Sequence, residues 1–463
     1  MTRAMPQNMV CSLVLGALML VPLSCPASEE QDNHSGAIVI SPVHVISIET
    51  GEITSGQSVI IRDGLIDSIV SHSGTRPQSG ATQVDGKNAY LIPGLAEMHA
   101  HIPSRSRGEQ YTRDILLLYL ANGITTTRGM LGEPWHIELR EKLESQEWTG
   151  PRLVTSGPSF NGRSVSSPEQ AAEMVRLQSG AGYDFLKLHP GLESEEFAAI
   201  ANTANDEDIP FAGHVSFEVG LDTALNQHQA TIDHLDGYAE AMVPESSPLY
   251  GKAPSFFGIN LAAEMDSGLA PPLARATATA GVWNVPTLSL IENMAGLRGL
   301  EELLARPGMQ FVSEELRQRW TNNVNGMREQ YSPGDRERFL ILRRTLVREL
   351  QAAGAGLLLG SDAPQIMNVP GYSIHEELAY MVGAGLTPLE ALRSGTLNVA
   401  TFFGNGNHGE VKPGYVADLV LLQSNPLDDI TATTQILGVM RGGTWFSRED
   451  LDTLLRAVNG RDI

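Results

Sequence analysis

The chain has 463 residues, of which 42% are hydrophobic and 19% charged, enough apolar material for a large core. Its net charge of -22 and the lack of a basic run make a nucleic-acid partner unexpected, because phosphate binding needs clustered Lys and Arg. An acidic surface also favours solubility and is repelled by anionic lipid.

The first 27 residues have the pattern of an export signal. Arg3 supplies a positive charge, residues 9–23 form an apolar stretch, and residues 25–27 fit a cleavage site. We expect a mature chain that begins near Ser28 and is periplasmic or secreted, with lipidation of Cys25 as the alternative. The apolar stretch is short and interrupted, so no stable membrane span is expected.

Both cysteines of the chain, Cys11 and Cys25, lie in this segment. After cleavage the protein would contain no thiol. Thiolate catalysis, disulfides and a cysteine-type zinc site are therefore not expected.

The two ends of the chain predict a shared β domain. Short β-like segments separated by turn signals fill residues 37–90, and matching signals recur near the C-terminus at residues 417–422 and 437–441. We expect a small composite β-sandwich beside a central domain. The predicted boundaries are residues 28–90 plus 405–463 for the sandwich and 91–404 for the central domain.

The central domain alternates apolar strand candidates with helical stretches. This rhythm predicts an α/β fold, a (βα)₈ TIM-type barrel, whereas the competing doubly wound open sheet would not bring its first and last strands together. The strand candidates are residues 91–101, 123–128, 152–156, 184–189, 211–215, 231–235, 282–288 and 356–361.

Two connections of the predicted barrel are long, residues 237–281 after the sixth strand and 301–353 after the seventh. Long loops at the C-terminal face of a barrel usually cover the active site. The second connection is helical and rich in arginine, and we interpret most of these arginines as a solvated helix face.

Two histidines, His99 and His101, end the first predicted strand. Alternate residues of a strand share a face, so both imidazoles can aim at one point. Such a pair is often satisfied by hydrogen bonds alone, and the prediction of a metal site therefore depends on residues further along the chain.

Four more residues that bind metals or titrate lie at later strand ends: Lys187, His214, His234 and Asp362. Catalytic residues of a barrel come from the C-terminal ends of different strands, and closure makes the eighth strand a neighbour of the first. We expect these four side chains to meet the two histidines of the first strand in one site.

Lys187 lies in an apolar strand, where a bare ammonium is costly to bury. A buried lysine loses its proton readily, and the neutral amine can take up CO₂ to form a carbamate that bridges two cations. The alternatives are an ion pair with an unidentified carboxylate or an amine that extends to solvent.

Together, these motifs resemble the amidohydrolase superfamily, in particular its binuclear branch with a carboxylated lysine, which includes imidazolonepropionase-like and Xaa-Pro or Xaa-Arg dipeptidase-like members. The resemblance covers nearly the whole mature chain. The motifs that carry it are Pro93-Gly-Leu-Ala-Glu-Met-His-Ala-His101, Asp184-Phe-Leu-Lys187, His214, Asp233-His234, Gly360-Ser-Asp-Ala363, residues 376–392 and Lys412-Pro-Gly-Tyr-Val-Ala-Asp418.

The resemblance implies two divalent metal ions, with zinc the expected metal, and a carbamate on Lys187 that bridges them. By the same resemblance, the more buried ion is held by His99, His101 and Asp362, and the second ion by His214 and His234. The chain departs from many relatives at Gly129, where they have aspartate, and at Leu235, where they have glycine. We expect both departures to affect the pocket wall.

The predicted activity is hydrolysis of an amide bond in a dipeptide or N-acyl amino acid by a hydroxide shared between two ions, with Asp362 moving the proton to the leaving amine. One alternative is a mononuclear cyclic-amide hydrolase or deaminase in which Lys187 stays free. Another is an exported binding protein without catalysis. The sequence leaves open whether the chain forms a homo-oligomer.

Other polar residues near these motifs have less certain roles in the sequence. Tyr238 could hold a substrate carboxylate and His375 could lie near the pocket entrance, although a structural role is an equal or better interpretation of each. Asp233 and Asp236 should face away from the histidine between them. His189 is expected to make a loop hydrogen bond, and the surface or loop histidines are His136, His228 and His408.

Overall fold

The computed structural model describes residues 36–74 and 80–459. The predicted export signal, the cleavage site and the alternative at Cys25 lie outside the described residues. Within the described part, no helix combines the length and apolar character that a membrane crossing requires.

The strands fall into three groups along the chain. The N-terminal strands are β1 (Ile38–Ile46), β2 (Ile53–Arg62), β3 (Leu65–Ser71) and β4 (Thr82–Pro93). The central strands are β5 (Leu95–Ala100), β6 (Ile124–Gly129), β7 (Arg152–Thr155), β8 (Leu186–Leu188), β9 (Phe211–Gly213), β10 (Thr231–Asp233) and β11 (Trp283–Val285). The C-terminal strands are β12 (Leu419–Leu422), β13 (Ile436–Arg441) and β14 (Thr444–Ser447).

The α-helices lie mostly between the central strands. The helices up to β11 are α1 (Glu109–Ala121), α2 (Trp135–Glu144), α3 (Pro168–Ala181), α4 (Ser194–Asp206), α5 (Leu221–Asn226), α6 (Tyr238–Ala241) and α7 (Ala270–Ala280). Those that follow are α8 (Leu288–Ala295), α9 (Leu300–Leu304), α10 (Glu314–Gln330), α11 (Pro333–Ala353), α12 (Tyr372–Gly383), α13 (Pro388–Ser394), α14 (Leu397–Phe402) and α15 (Arg448–Asn459).

Local sequence signals explain several helix ends. The side chain of Ser167 accepts a hydrogen bond from the backbone of Gln170, and Pro168 occupies the first turn of α3, where no donor is lost. The same helix ends at Gly182 in the left-handed conformation, which glycine adopts without a steric penalty.

The two ends of the chain build one sheet of seven strands in the order β14-β13-β12-β4-β1-β2-β3. The junction is the antiparallel pair of β12 and β4, with Leu419 opposite Pro93. Leu65, at the start of β3, forms a β-bridge with Val416, just before β12. This bridge between distant strands of the order shows that the sheet bends back on itself. Aliphatic residues from both ends, among them Ile61 and Leu421, share the core inside this bend.

The central strands are parallel and form a closed ring. Strands β5 to β7 form one sheet and β8 to β11 another, and a bridge between Ser156 and Phe185 joins the two. Residues 357–363 take the place of the eighth strand, since they bridge to β11 on one side and to β5 on the other. The predicted (βα)₈ barrel is therefore confirmed.

The connection between β11 and the eighth segment carries arginines that the sequence analysis placed mostly on a solvated face. Arg336 and Arg343 are exceptions to this expectation, since both are buried on α11. Arg343 donates hydrogen bonds to the backbone oxygens of His234 and Pro286, so α11 braces the ends of β10 and β11.

We predict that Gly360→Ala lowers the free energy of unfolding by about 1–3 kcal/mol, because the added methyl group would overpack the contact between the eighth segment and β5. A β-carbon at Gly360 would lie 2.5 Å from Val285 and 2.9 Å from the amide nitrogen of His99. Denaturant unfolding measures the loss. Gly406→Ala is the matched control, since a β-carbon there meets no atom within 4 Å; equal losses in the two variants would contradict the prediction.

Candidate metal centre

The six residues predicted from strand ends come together at one end of the barrel. The ring of His234 lies 4.5 Å, centroid to centroid, from those of both His99 and His214, and His99 lies 5.6 Å from His101. His99 lies in β5, and the other three histidines directly follow β5, β9 and β10. Barrel closure thus places side chains from distant parts of the sequence around one volume.

His99, His101 and Asp362 offer ligand atoms that all lie within 4.8 Å of one another. The Nε2 atoms of His101 and His99 are 2.8 Å and 3.7 Å from Oδ1 of Asp362. Within the described part of the chain, that oxygen has no hydrogen-bond partner despite these short distances. Donor atoms that are close but not bonded to each other have the arrangement expected of ligands that converge on a cation.

The backbone at two of these positions is strained. His234 and Asp362 have φ angles of 60° and 64°, in the left-handed region that residues with a β-carbon rarely adopt. The backbone oxygen of His234 accepts a hydrogen bond from Arg343. The Nδ1 atom of His234 hydrogen-bonds Thr287 Oγ1 at 2.8 Å. Strain that the surrounding contacts maintain is typical of functional sites.

His214 is oriented by a carboxylate that the sequence analysis did not assign to the site. Its Nδ1 lies 2.7 Å from Oδ2 of Asp236, which leaves Nε2 for a ligand, as in carboxylate and histidine pairs of metal sites. The alternation of a strand does not extend to Asp236, because His234 and Leu235 both have positive φ angles and turn the chain.

Asp233 was expected to face away from His234, and its carboxylate contacts two other residues of the site. Its Oδ2 lies 3.0 Å from Nδ1 of His99 and 3.7 Å from Nζ of Lys187. All three side chains are buried. Burial lowers the pKa of Lys187, and the negative charges of Asp233 and Asp362 oppose that effect. Asp233 is thus the carboxylate that the ion-pair interpretation of the lysine required.

Arg128 supplies the positive charge behind Asp233. Its guanidinium is buried and donates to Met98 O, Thr231 Oγ1 and Asp233 Oδ1. Burial by itself would raise the pKa of Asp233, but the charges of Arg128 and Lys187 outweigh it, and the pKa lies below its ordinary value.

Glu97 is a further buried acidic residue, to which the sequence motif alone gave no role. It accepts hydrogen bonds from the backbone nitrogens of His99 at 3.0 Å and Ser361 at 2.8 Å, and from the Ser361 hydroxyl. Burial raises its pKa to about 8. The glutamate therefore ties β5 to the eighth segment directly beneath the metal-binding candidates. A glutamate within an apolar strand was the sequence signal for it.

The chemistry of the cluster fits divalent cations. Burial lowers the pKa values of His99 and His234 well below the ordinary value, so both imidazoles are neutral, the form that binds metals. Several buried atoms at the site have no hydrogen-bond partner among residues 36–74 and 80–459. They are Nδ1 of His99, Nζ of Lys187, Oδ2 of Asp233 and Oδ1 of Asp362.

The two residues suggested for substrate binding do not open onto this cluster. Tyr238 is fully buried in α6, and its hydroxyl hydrogen-bonds Thr277 Oγ1 of α7 at 2.7 Å. His375 is buried in α12, with Nδ1 3.0 Å from Thr433 Oγ1 near the C-terminal strands. Both side chains have structural contacts instead of the suggested substrate contacts.

The remaining histidines divide between the site and its surroundings. His189 stacks on His214 with 5.1 Å between ring centroids, and its Nδ1 lacks the loop hydrogen bond that was expected. His136 is buried in α2, contrary to prediction, and lies 3.1 Å from the oxygen of Pro103. His228 is exposed, as predicted.

Comparisons with known proteins agree with this architecture. The family model described as Amidohydrolase family matches residues 90–446. Among curated proteins, the ochratoxinase of Aspergillus niger is 34% identical over 100 residues, a stretch that is 20% of this chain and 20% of the ochratoxinase. Among solved structures, a bottromycin amidohydrolase is 25% identical with a TM-score of 0.68, covering 91% of this chain and 89% of its own. A Xaa-Pro dipeptidase with bound methionine is 18% identical with a TM-score of 0.64, covering 89% of this chain and 100% of its own.

We predict that His375 makes folding stability depend on pH. Burial lowers the pKa of His375 from 6.5 to about 4, so the unfolded chain takes up a proton below pH 6.5 while the folded form stays neutral. Stability is therefore lost as pH falls from 6.5 to 4, by about 3 kcal/mol in total. Denaturant unfolding at several pH values in this range should show that the free energy of unfolding depends less steeply on pH in His375→Gln. The control His228→Asn should keep the wild-type dependence; an unchanged slope in His375→Gln would contradict the assignment.

Proposed function

The chain belongs to the amidohydrolase family, and we propose that it is a metal-dependent hydrolase of amide bonds. We propose export as well, from the signal-like pattern of the first 27 residues. Membership confirms the superfamily predicted from the motifs and agrees with the predicted class of hydrolases that act on carbon-nitrogen bonds. One observation carries the proposal: four histidines, a lysine and an aspartate from separate strand ends converge on one buried volume. The proposed substrate is a dipeptide or an N-acyl amino acid.

The proposed cofactor is a pair of divalent ions, with zinc as the metal that suits nitrogen and carboxylate ligands. His99, His101 and Asp362 would hold the first ion, and His214 and His234 the second. When bound, such ions lower the pKa of water and polarise a carbonyl group.

The protein side chains would orient the ligands and move the proton. Asp362 lies within 2.8 Å of His101 Nε2 and would accept a proton at its carboxylate and deliver it to the leaving amine. Asp236 fixes the ring of His214, and Thr287 fixes that of His234. These contacts hold both rings in place before a substrate arrives.

We propose a carbamate on Lys187 as the bridge between the ions. Burial favours the neutral amine, the form that takes up CO₂. The carbamate would add a negative charge next to Asp233, and the guanidinium of Arg128, which already hydrogen-bonds that carboxylate, would offset part of the repulsion.

A mononuclear cyclic-amide hydrolase or deaminase is the second candidate, and one observation favours it. Lys187 lies 3.7 Å from Asp233 as an ion pair, while His99, His101 and Asp362 already form a three-ligand group. In this arrangement the lysine would stay paired with Asp233 and would carry no carbamate. An exported binding protein without catalysis is the least supported candidate, because the site retains neutral imidazoles and an unpaired carboxylate oxygen.

We predict that zinc-loaded protein hydrolyses members of a panel of dipeptides and N-acyl amino acids, and that Asp362→Asn lowers kcat by about 100-fold or more. Asparagine tolerates the left-handed backbone at this position, so the fold should persist. Steady-state kinetics with a thermal melt of each variant provide the measurement. Asp222→Asn, at an exposed position in α5, is the control. Full turnover in Asp362→Asn would remove Asp362 from the mechanism.

We predict about two zinc equivalents per chain, with activity that rises when bicarbonate is supplied. Lys187→Met should lower the metal content toward one equivalent, because the proposed bridge is lost. Metal analysis after dialysis measures this content. One equivalent in the wild type, unchanged in Lys187→Met, would favour the mononuclear candidate instead.

A further inference from the structure

An aromatic ring from the long connection after β10 lies against the metal centre. The ring of Phe257 is 5.3 Å, centroid to centroid, from that of His234. Phe256 packs edge-on against Phe257, also at 5.3 Å. The side chain of Phe257 remains partly exposed, so the protein core does not enclose the whole ring.

The backbone that presents this ring is strained. Phe256 and Phe257 have φ angles of 41° and 55°, a region in which bulky residues are outliers. Two consecutive aromatic residues in this conformation persist only when surrounding contacts enforce it.

Contacts on both sides of the pair enforce the conformation. The hydroxyl of Ser255 lies 2.7 Å from that of Tyr331, at the end of α10, and its backbone nitrogen donates to Asn260 Oδ1 at 2.7 Å. Gly258 sits so close to Ala239 that a β-carbon there would lie 2.3 Å from the alanine methyl. The segment is therefore fixed in place against α6 and α10.

The mouth of the barrel offers further apolar surface. Leu131 follows β6 and Phe217 lies three residues past His214, and both are exposed large apolar side chains. Because the carboxyl ends of all barrel strands meet at the same face, these residues lie on the side of the barrel that bears the histidines. Apolar side chains on the same face as convergent polar groups are typical of a small-molecule site.

We propose that Phe257 determines specificity by packing against an aromatic or other bulky apolar group next to the scissile amide of the substrate. This inference rests on the proposed amide hydrolysis and adds the substrate class. A group bound at the metal centre would lie beside His234, and the ring of Phe257 is already in contact with that imidazole. Stacked or edge-on aromatic contact is the interaction that such a ring supplies.

The test compares zinc-loaded wild type and Phe257→Ala on two matched substrate pairs, benzoylglycine with acetylglycine and N-acetylphenylalanine with N-acetylalanine. We expect the wild type to prefer the phenyl-bearing member of at least one pair in kcat/KM. Phe257→Ala should lower that preference about tenfold, mainly through a higher KM for the phenyl-bearing member. Phe257→Leu, which keeps an apolar side chain, should lower the preference less. It replaces the alanine variant in the test if that variant does not fold.

Phe256→Ala is the control, because its ring contacts Phe257 and not a histidine, and it should keep the wild-type preference. Calorimetry measures the binding of the same compounds to zinc-loaded Asp362→Asn, with and without Phe257→Ala. The ratio of the dissociation constants gives the selectivity in the absence of turnover. A wild type that hydrolyses no amide contradicts the proposed function, and the binding ratio still decides the role of Phe257. The inference would be overturned if Phe257→Ala left the preference for the phenyl-bearing compound unchanged in kinetics or in binding.

Discussion

The pairing of β5 with residues 357–363 is the contact on which the site depends. Backbone hydrogen bonds from Met98 to Leu359 and from His101 to Ala363 hold the two segments in register. Glu97 adds a second link through the Ser361 backbone and hydroxyl. Without this closure, Asp362 would be separated from His99 and His101, and metal ligands from opposite ends of the barrel sequence could not converge.

The interior of the barrel beneath the histidines is a balanced set of buried charges. Arg128 and Lys187 face Asp233, whose carboxylate also touches His99. A buried charge without a partner is far more destabilising than a buried pair, so each member of this set constrains the others. The same set determines whether the lysine is held as an ammonium or is available for reaction with CO₂. The positions of the metal ligands and the balance of buried charges therefore depend on each other.

The sequence was sufficient to predict the barrel and the six clustered strand-end residues, because β-strand periodicity and parallel topology determine which strand ends meet. It was insufficient for Asp236, since the alternation of a strand stops where His234 turns the chain into the left-handed region. Asp233 and Arg128 were missed because their roles depend on each other across the barrel. For Tyr238 and His375 the sequence left a structural role and a substrate role open, because closeness to a motif along the chain does not determine which way a side chain faces.

The seven-stranded sheet has a consequence for how the molecule is assembled. Its central strand β4 is flanked by β1, from the beginning of the described chain, and by β12, from near its end. During synthesis, the edge of β4 that receives β12 stays unpaired until the whole barrel and β12 have emerged. Open strand edges recruit other chains, so a nascent or truncated molecule would be exposed to aggregation for longer than the barrel alone would suggest.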